Sequence, residues 1–528
     1  MYLANPKMLL LLLISWLWLF NTYGQNLTND GAYIKSTSGS YWYFTGNDNM
    51  NIISQTADHS QFYNVIVDFS GSGSYKLTLD DQSYLTINGA LTLNDTLLLE
   101  GNDTQMASLI TGTSVTGSLA KVQQFLSENR WHYISSPVSN EQIGSYLNVY
   151  LKSWDEVSGE WTYLFNPLTT PLNVGEGYAV WASSSLTGDT LIALDGLLNT
   201  GDVNKNLSYS PASLKTGWHF LGNPFPCNIE WTSSWNLTNV DPTIYIYDGN
   251  QYLSWNYNLS EIENTLPSAI IPSTQGFMVK ANNTGASLTI PENQRLHSAE
   301  ELYKATGADI SLKLKAVGNG RYDLMSIYMD SQSTLNFDNL YDSYKIYGHA
   351  DAPQLYSILP DEIAAINGIP IIQKGTEVSV GFEVEVAGQY AIEIVDFVNN
   401  ISNLSVFILD KKLEQLTNLS QTGFYQFYAE PDDNSDRFTV IFGDPASGIQ
   451  DKDESDIQIF AFSGTIKIQS DVPLNGELEL VDMIGRVIAS VPLINDRNKE
   501  INVNAEPGYY LVLVRTTDRN VAGKLYLH

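Results

Sequence analysis

The sequence predicts an all-β protein made of several domains. Short segments in which apolar and polar residues alternate occur along nearly the whole chain, which is the pattern of strands with one buried face. Clusters of Gly, Asn, Asp and Pro separate these segments at roughly the spacing of short strands in sandwiches and barrels, and no long segment has a helical period. At 528 residues the chain is long enough for about three to five domains.

The composition excludes several classes of partner and bond. Asp and Glu outnumber Lys and Arg by 58 to 27, which gives a formal net charge of −31. A chain this acidic repels nucleic acid and anionic membrane surfaces, so neither is expected as a partner. The single cysteine, Cys227, excludes an intrachain disulfide framework. We expect Cys227 in a half-buried loop, where it has no catalytic role.

Residues 1–24 have the pattern of a secretory signal peptide. A short positive flank precedes an apolar core from Met8 to Phe20, and this core is too short to span a membrane comfortably. Small residues then mark a cleavage site between Gly24 and Gln25. We therefore expect an exported protein.

Residues 25–125 predict a β-solenoid, with a β-sandwich as the alternative. The segment LTINGALTLNDTLLLEG has the cadence of successive rungs, in which each turn stacks its apolar residues on the previous one. Regularly spaced short strands also occur in sandwiches. The cadence favours the solenoid and leaves the sandwich open.

Residues 126–305 contain an internal duplication, with units 126–217 and 218–305. The segment WHYISSP of the first unit returns as WHFLGNP in the second, and GEGYAV returns, in the same order, as TQGFMV. Two matching pairs in one order indicate related β units. They are either two small domains or two halves of one sandwich.

This duplicated region holds most of the tryptophans. Their rings can stack on the C–H faces of sugars or fill a β core. Trp131 and Trp218 occupy equivalent places within strand patterns, so we expect both in the core. Trp161, Trp235 and Trp255 lie in polar surroundings and are the candidates for exposure and for stacking on a ligand.

The chain has no convincing catalytic or metal-binding motif, since HExxH, GxSxG and the phosphate-binding Gly loop are all missing. His132 and His219 follow the repeated tryptophans, but neither has a second ligand at metal spacing, so we expect them to be solvated or bonded to a turn. Asp202, Asn204 and Asn206 resemble the start of a calcium loop without its Gly and Glu. No catalytic residue and no cofactor are assigned, and calcium is a weaker alternative.

Three segments follow the duplication. Residues 306–444 alternate clearly and predict a β-sandwich. Residues 445–455, PASGIQDKDES, combine Pro, Gly, Ser and acidic residues without apolar periodicity, which is typical of a solvated linker. Residues 456–528 have the pattern of a small antiparallel, Ig-like module.

The last module carries three short motifs, DMIGRV, PGYYLV and GKL. Their principal residues are Asp482, Gly485, Arg486, Gly508, Tyr510 and Lys524. With these motifs the module resembles the C-terminal sorting domain of proteins exported by the type IX secretion system of Bacteroidota. The usual Tyr-Pro-Asn-Pro-like opening is replaced by FAFSG, which leaves the subfamily open. The resemblance implies that the type IX machinery recognises this module and that it is removed near the linker.

Two Asp-Thr-Leu triplets, centred on Thr96 and Thr190, resemble the O-glycosylation acceptors of Bacteroidota. The resemblance implies that these threonines are candidate modification sites.

These patterns predict a secreted or cell-surface β protein that is not an enzyme and acts as an adhesin or ligand-binding scaffold. The expected partners are the type IX secretion machinery and a glycan or extracellular-matrix ligand. Attachment to the outer-membrane surface is expected after the sorting domain is removed. Two alternatives stay open: a polysaccharide-active enzyme in residues 25–305, and a structural component of a surface assembly.

Overall fold

The computed structural model divides into two compact units, Met1–Ala446 and Ser447–His528. It describes residues 26–443 and 457–527, apart from gaps at 58–59, 71–73, 113, 118, 140, 142, 147–148, 166–169, 185–187, 214, 298–308, 401–403, 463–464, 483–485, 504–507 and 517–519. The expected signal peptide with Gly24 and Gln25, the expected linker 445–455 and Gly485 lie outside the described residues.

The regular structure of the described residues consists almost entirely of strands, which confirms the predicted all-β fold class. The one α-helix described is the single turn α1 (Leu419–Thr422). No described helix is long and apolar enough to cross a membrane.

The N-terminal part is a parallel β-solenoid with three faces. The first face contains β1 (Asn26–Asn29), β4 (Met50–Ser54), β7 (Lys76–Leu79), β10 (Thr96–Leu99) and β13 (Ala120–Leu126). The second contains β2 (Ile34–Lys35), β5 (Ser60–Phe62), β8 (Tyr84–Ile87) and β11 (Ser108–Thr111). The third contains β3 (Tyr41–Phe44), β6 (Asn64–Val67), β9 (Leu91–Leu93) and β12 (Val115–Thr116).

In-register pairing stacks the apolar residues of successive rungs into columns. Ile52 pairs with Leu79, Leu79 with Leu99, and Leu99 with Val122, and none of the four is more than 1% exposed. Burying each such side chain stabilises the fold by about 1.5–3 kcal/mol relative to exposure. The solenoid prediction is therefore confirmed, and the sandwich alternative is excluded for this region.

The last rung of the solenoid does not end in an open edge on its first face. There β19 (Thr190–Leu198) pairs antiparallel with β13, and β15 (Val138–Ser139) pairs with β19. On the second face the amide of Leu109 in β11 donates to the carbonyl of Pro226 at 2.9 Å. Unpaired strand edges invite association with other chains, so the duplicated region caps the solenoid.

The two units of the duplication form sheets with the same strand order. The first sheet runs β14 (Trp131–Ile134), β18 (Tyr178–Trp181), β16 (Tyr150–Asp155), β17 (Glu160–Tyr163). The second runs β21 (Trp218–Gly222), β27 (Gly276–Lys280), β24 (Thr243–Tyr247), β25 (Tyr252–Asn256). Smaller elements complete the region: η1 (Ile143–Tyr146), β20 (Val203–Leu207), β22 (Asn228–Glu230), β23 (Leu237–Thr238), β26 (Ile270–Ile271), β28 (Ala286–Ile290), η2 (Glu292–Gln294) and β29 (Arg295–Leu296).

The two sheets exchange backbone contacts reciprocally. Ile134 of the first unit bridges Gln275 of the second, and Leu221 of the second bridges Glu176 of the first. These four residues are equivalent in pairs, because Ile134 aligns with Leu221 and Glu176 with Gln275. The duplicated segments thus meet each other across an approximate two-fold relation.

Residues 310–443 form one continuous sheet that closes over its own core. Its strands are β30 (Ile310–Gly318), β31 (Arg321–Met329), β32 (Ser343–Tyr344), β33 (Gln354–Ile358), β34 (Ile363–Ile369), β35 (Thr376–Glu383), β36 (Gly388–Asn399), β37 (Ser405–Asp410), β38 (Gln415–Asn418), β39 (Phe424–Ala429) and β40 (Phe438–Gly443). Phe382, Phe427 and Phe438 pack edge to face in the core, with ring centroids 4.7–5.9 Å apart. We call this sheet the large sheet.

The C-terminal compact unit, Ser447–His528, is an antiparallel sheet of β41 (Ile457–Phe462), β42 (Thr465–Asp482), β43 (Val487–Asn502), β44 (Gly508–Thr516) and β45 (Asn520–Leu527). Strand β42 pairs with β41, β43 and β44. Leu478, Leu480, Val512 and Val514 are fully buried in a core that belongs to this unit alone.

Candidate functional site

A cleft of about 670 Å³ opens between the last rungs of the solenoid and the duplicated sheets. The loop after β10, strand β13, the start of β14, the end of β24 and the turn before β27 all contribute to its walls. Hydrogen-bonding and aromatic side chains line it, including Asn102, Gln105, Gln124, Tyr133, Asn228 and Tyr247. We refer to this cavity as the cleft.

A buried hydrogen-bond network holds one wall of the cleft. The side-chain amide of Gln124 donates to Thr274 Oγ1 at 3.0 Å, and its oxygen accepts from the hydroxyl of Tyr146 at 2.8 Å. Thr274 has a φ of +59°, whereas Gly175, its counterpart in the first unit, has +73°. A β-branched residue is strained in this left-handed region, and such strain tends to occur at functional sites.

His297 fastens the end of the duplicated region to the solenoid. Its Nε2 lies 2.8 Å from Thr86 Oγ1 and its Nδ1 lies 2.9 Å from Ser108 Oγ, and the residue is 5% exposed. Because both ring nitrogens are engaged, His297 holds the wall in place and has no nitrogen available as a base.

Tyrosines form the aromatic wall behind the cleft. The hydroxyls of Tyr133 and Tyr252 lie 2.5 Å apart, and the Tyr133 ring lies 5.1 Å from Tyr247 and 4.8 Å from Phe220. Burial raises the pKa of Tyr133 well above its ordinary value. This wall therefore stays uncharged at physiological pH.

A smaller recess of about 190 Å³, which we call the annex, adjoins the cleft. The two cavities share five lining residues, Arg130, Trp131, Tyr247, Asp248 and Gly249. Trp181, Arg321 and His349 also line the annex. The combined site thus has a cleft lined mainly by uncharged polar and aromatic side chains and an annex with two arginines.

His132 is bonded within its own turn. Its Nε2 donates to the carbonyl of Ser127 at 2.8 Å, and burial lowers its pKa. The Ser127 hydroxyl is also close, 3.3 Å from the same Nε2. Because Nε2 already carries the proton given to the carbonyl, it cannot accept one from Ser127. The pair is therefore not arranged as a nucleophile and its base. His219 likewise bonds the carbonyl of Ser208 at 2.8 Å.

Two carboxylates line the cleft among the described residues, Asp103 and Asp248. Asp248 Oδ1 accepts from the amides of Asn250 and Gln251 at 2.8 and 2.9 Å, and its Oδ2 accepts from the hydroxyl of Tyr322. These bonds hold the Asp248 carboxylate against its own turn and against Tyr322 of β31. The cleft therefore supplies donors, acceptors and aromatic faces, which are the elements of recognition.

The expectation that Trp235 is exposed is wrong. Trp235 is 3% exposed, lies 4.6 Å from the Trp231 ring, and donates its indole N–H to the carbonyl of Glu230 at 2.8 Å. Trp161 and Trp255 are half-buried and pack on the aromatic and apolar clusters of the duplicated region. None of the three lines the cleft or the annex.

The core prediction holds for Trp218, which is 8% exposed, but not for Trp131, which is half-buried. Tyr344 of the large sheet lies 5.8 Å from the Trp218 ring and covers it, whereas Trp131 faces the annex. The sequence does contain one signal that distinguishes the units. Trp181, which pairs with Trp131, corresponds to Lys280 in the second unit.

The prediction that Cys227 is half-buried is also wrong. The residue is completely buried in the core of the second unit of the duplication, because its neighbours Phe225 and Ile229 also point into that core. Burial raises the pKa of its thiol to about 12. The thiol is therefore protonated and unreactive at physiological pH.

The candidate calcium residues lie at the start of an extended strand. Asp202 accepts from the amide of Glu292 at 2.9 Å, and Asn204 accepts from the hydroxyl of Thr289 at 2.7 Å. The described residues contain no group of three or more His, Cys, Asp or Glu side chains placed to hold a metal ion.

The residues of the sorting motif lie in the C-terminal compact unit, Ser447–His528. Asp482 accepts from the backbone amide of Arg486 at 2.8 Å and from its Nε at 3.0 Å. Gly508 begins β44, Tyr510 is 8% exposed in the core, and Lys524 lies on β45.

The candidate glycosylation residues Thr96 and Thr190 are half-buried at the first positions of β10 and β19. The preceding aspartates hold their turns, since Asp95 accepts from the amide of Phe69 at 2.5 Å and Asp189 from that of Glu128 at 2.8 Å.

A curated protein and a solved structure are similar to this chain. The minor fimbrium subunit Mfa5 of Porphyromonas gingivalis is 24% identical over 358 residues, which cover 59% of this chain. The match spans only 28% of that relative's length. A solved structure titled biofilm associated protein, BSP domain, aligns with 77% of this chain and 92% of its own at 9% identity, with a TM-score of 0.15.

A family model described as a domain of unknown function, DUF8693, matches residues 42–442. The match begins in β3 of the solenoid and ends in β40 of the large sheet, so it includes the cleft and the annex. This chain therefore belongs to the DUF8693 family.

Proposed function

We propose that this protein is a cell-surface adhesin that binds a saccharide in the cleft and has no enzymatic activity. The observation that carries the proposal is the lining of the cleft, where neutral tyrosines stand beside Asn and Gln side chains. Aromatic faces stack on the C–H faces of sugar rings, and amides bond the hydroxyls at the ring edge. The likeness to a protein named as a fimbrium subunit supports a surface location.

We test the proposal by measuring the binding of the full chain to an array of neutral and charged oligosaccharides. Tyr247→Ala removes an aromatic face of the cleft, and we expect it to weaken binding of any retained glycan by about tenfold. Tyr428→Ala is the matched control, because Tyr428 is 46% exposed on the large sheet, outside the cleft. Equal affinity of both variants and the parent would contradict the proposal, as would silence of the whole array.

Export through the type IX secretion system is the second part of the proposal. It is supported by the resemblance of residues 456–528 to sorting domains and by the separate compact unit Ser447–His528. Deleting 456–528 in the native host is expected to leave the protein inside the cell envelope. Normal surface display of the truncated protein, measured by antibody labelling of intact cells, would exclude this route.

A structural role in surface assembly is the second candidate, and the likeness to a protein named as a fimbrium subunit favours it. Sedimentation velocity at micromolar concentration distinguishes the adhesin from the assembly component, because an assembly component forms oligomers without any glycan.

A polysaccharide-active enzyme in residues 25–305 is the third candidate. Release of reducing ends from a bound glycan would favour that alternative, and an extracellular-matrix ligand would bind the full chain in the absence of sugar.

A further inference from the structure

The annex is lined by two arginines, Arg130 and Arg321, and by one carboxylate, Asp248. Arg130, Arg321 and the exposed Arg497 form no ion pair among the described residues, whereas Arg295, Arg437, Arg486 and Arg515 each have a carboxylate partner. Of the three, Arg130 and Arg321 line the annex. In a chain with a formal net charge of −31, carboxylates are abundant everywhere. Two arginines without one, lining a single recess, therefore require an explanation.

Neutral groups hold the guanidinium of Arg321 in place. Its Nη1 donates to the carbonyl of Gly249 at 3.2 Å and to Asn250 Oδ1 at 3.1 Å, and its Nη2 lies 3.3 Å from Nε2 of His349. These uncharged partners fix the orientation of the Arg321 guanidinium without neutralising its positive charge. A positioned guanidinium is suited to a planar anion, because its N–H groups form a fork that matches a carboxylate.

The tryptophans of the annex provide the apolar surface that a sugar ring needs. Trp131 and Trp181 pack edge to face with centroids 5.6 Å apart, and both are half-buried, so part of each ring is reachable. Lys152 Nζ lies 4.6 Å from the centroid of the Trp131 ring and adds a third positive charge nearby.

Negative charge near the annex is limited and already engaged. Asp248 accepts from two backbone amides and from Tyr322, and Asp351 lies 3.8 Å from Nδ1 of His349, directed at the imidazole. Arg130, Arg321 and Lys152 outnumber these two carboxylates. The local balance is therefore positive in a protein whose overall field repels anions.

We infer that the annex binds the anionic group of an acidic saccharide, with a hexuronic acid carboxylate between Arg130 and Arg321 and its ring against the tryptophans. The inference rests on the proposed function, because the remaining sugars of the ligand occupy the adjoining cleft. A sulfate ester could supply a similar charge, but a carboxylate matches the planar arginine fork better.

The test compares an oligogalacturonate with its fully methyl-esterified form, measured by calorimetry on the full chain. The two ligands have the same rings and linkages and differ only in charge. We expect the acid to bind at least about tenfold more tightly than the ester. Arg321→Gln and Arg130→Gln should each lower the affinity for the acid by more than the affinity for the ester, so that most of this difference is lost.

Two further variants keep the inference falsifiable. Arg497→Gln changes the same charge at an exposed position of the second unit and should leave both affinities unaltered. Arg321→Lys keeps the charge without the fork and should restore only part of the preference for the acid. Thermal unfolding of each variant verifies that it is folded.

Each result decides between the two proposals. Equal binding of acid and ester, or a preference for the ester, overturns the annex assignment and leaves the cleft as a neutral glycan site. A sulfated oligosaccharide that binds while the oligogalacturonate does not overturns the carboxylate assignment. Silence with acid, ester, sulfated and neutral oligosaccharides overturns the proposed glycan-binding function.

Discussion

Glu156 is a buried carboxylate that is stabilised in its charged form. It follows β16 directly and is 4% exposed. Burial by itself would raise its pKa, but hydrogen bonds from the amide of Gly217 and from Ser208 and Ser210, at 2.7–2.8 Å, outweigh that effect and lower the pKa to about 2. These bonds tie the chain ahead of β21 to the end of β16, so Glu156 holds the segment that leads from the first unit of the duplication into the second.

Glu156→Gln should destabilise the protein by about 1.5–3 kcal/mol at pH 7, because an amide has one acceptor oxygen in place of two and carries no charge. The folded-state pKa is depressed from 4.5 to about 2, so the stabilisation is fully present above about pH 4.5 and is lost as the pH falls towards 2. The difference in melting temperature between parent and variant should therefore shrink over that range. Glu160→Gln, at an exposed position of β17, is the control. A difference that is the same at pH 7 and pH 3 would contradict this account.

Residues at equivalent sequence positions can acquire different roles. Trp131 and Trp218 both begin a repeated strand, and their local sequences predict the same environment. Tyr344 covers Trp218, whereas Trp131 lines the annex. The difference comes from residues more than a hundred positions away in the sequence, so no local pattern could reveal it.

At the scale of elements, the reciprocal contact between β14, β21 and the turns before β18 and β27 depends on close backbone approach. A Cβ on Gly177 would lie 2.5 Å from the carbonyl oxygen of Leu221, and one on Gly276 would lie 3.1 Å from that of Ile134. Glycine is needed at both positions, because the backbone of Leu221 occupies the space at Gly177 and the Phe220 ring, with its Cζ 2.7 Å away, occupies the space at Gly276. The Gly of GEGY and TQGF is therefore explained by packing.

Gly177→Ala should destabilise the duplicated region by about 1–3 kcal/mol, because the carbonyl of Leu221 cannot move without breaking the sheet contact. Gly388→Ala is the matched control, since the nearest atom to its added Cβ is 3.8 Å away. Urea unfolding midpoints measure both. If Gly177→Ala were no more destabilising than Gly388→Ala, the close contact would not be as described.

At the scale of the whole molecule, the two compact units have separate cores. We expect calorimetry of the full chain to show two unfolding transitions. Removal of 447–528 should abolish one transition and leave the midpoint of the other within about a degree, since independent cores unfold independently. A large shift in the remaining midpoint would show that the units stabilise each other.

The cleft is also a property of the whole molecule, because it lies where the duplicated region packs on the solenoid. The solenoid, with columns such as Ile52–Leu79–Leu99–Val122, shares one apolar core with the first unit of the duplication, whereas the second unit of the duplication has its own core. The cavity exists because β19 and the 226–297 region dock on the last rung and leave polar loops facing one another. The sequence predicts aromatic stacking on a ligand but places it at Trp161, Trp235 and Trp255, none of which lines the cleft or the annex.

The sequence by itself determined the all-β class, the solenoid cadence and the existence of a repeat, because alternation, turn residues and periodicity are local properties that each segment carries independently. Only the tertiary structure decided which aromatic rings are covered, where Cys227 and Trp235 lie, and which arginines lack a carboxylate. These properties depend on neighbours contributed by distant segments, and burial is determined by the packing of those segments on one another. The annex is the clearest case, since Arg130, Trp181 and Arg321 come from three separate elements.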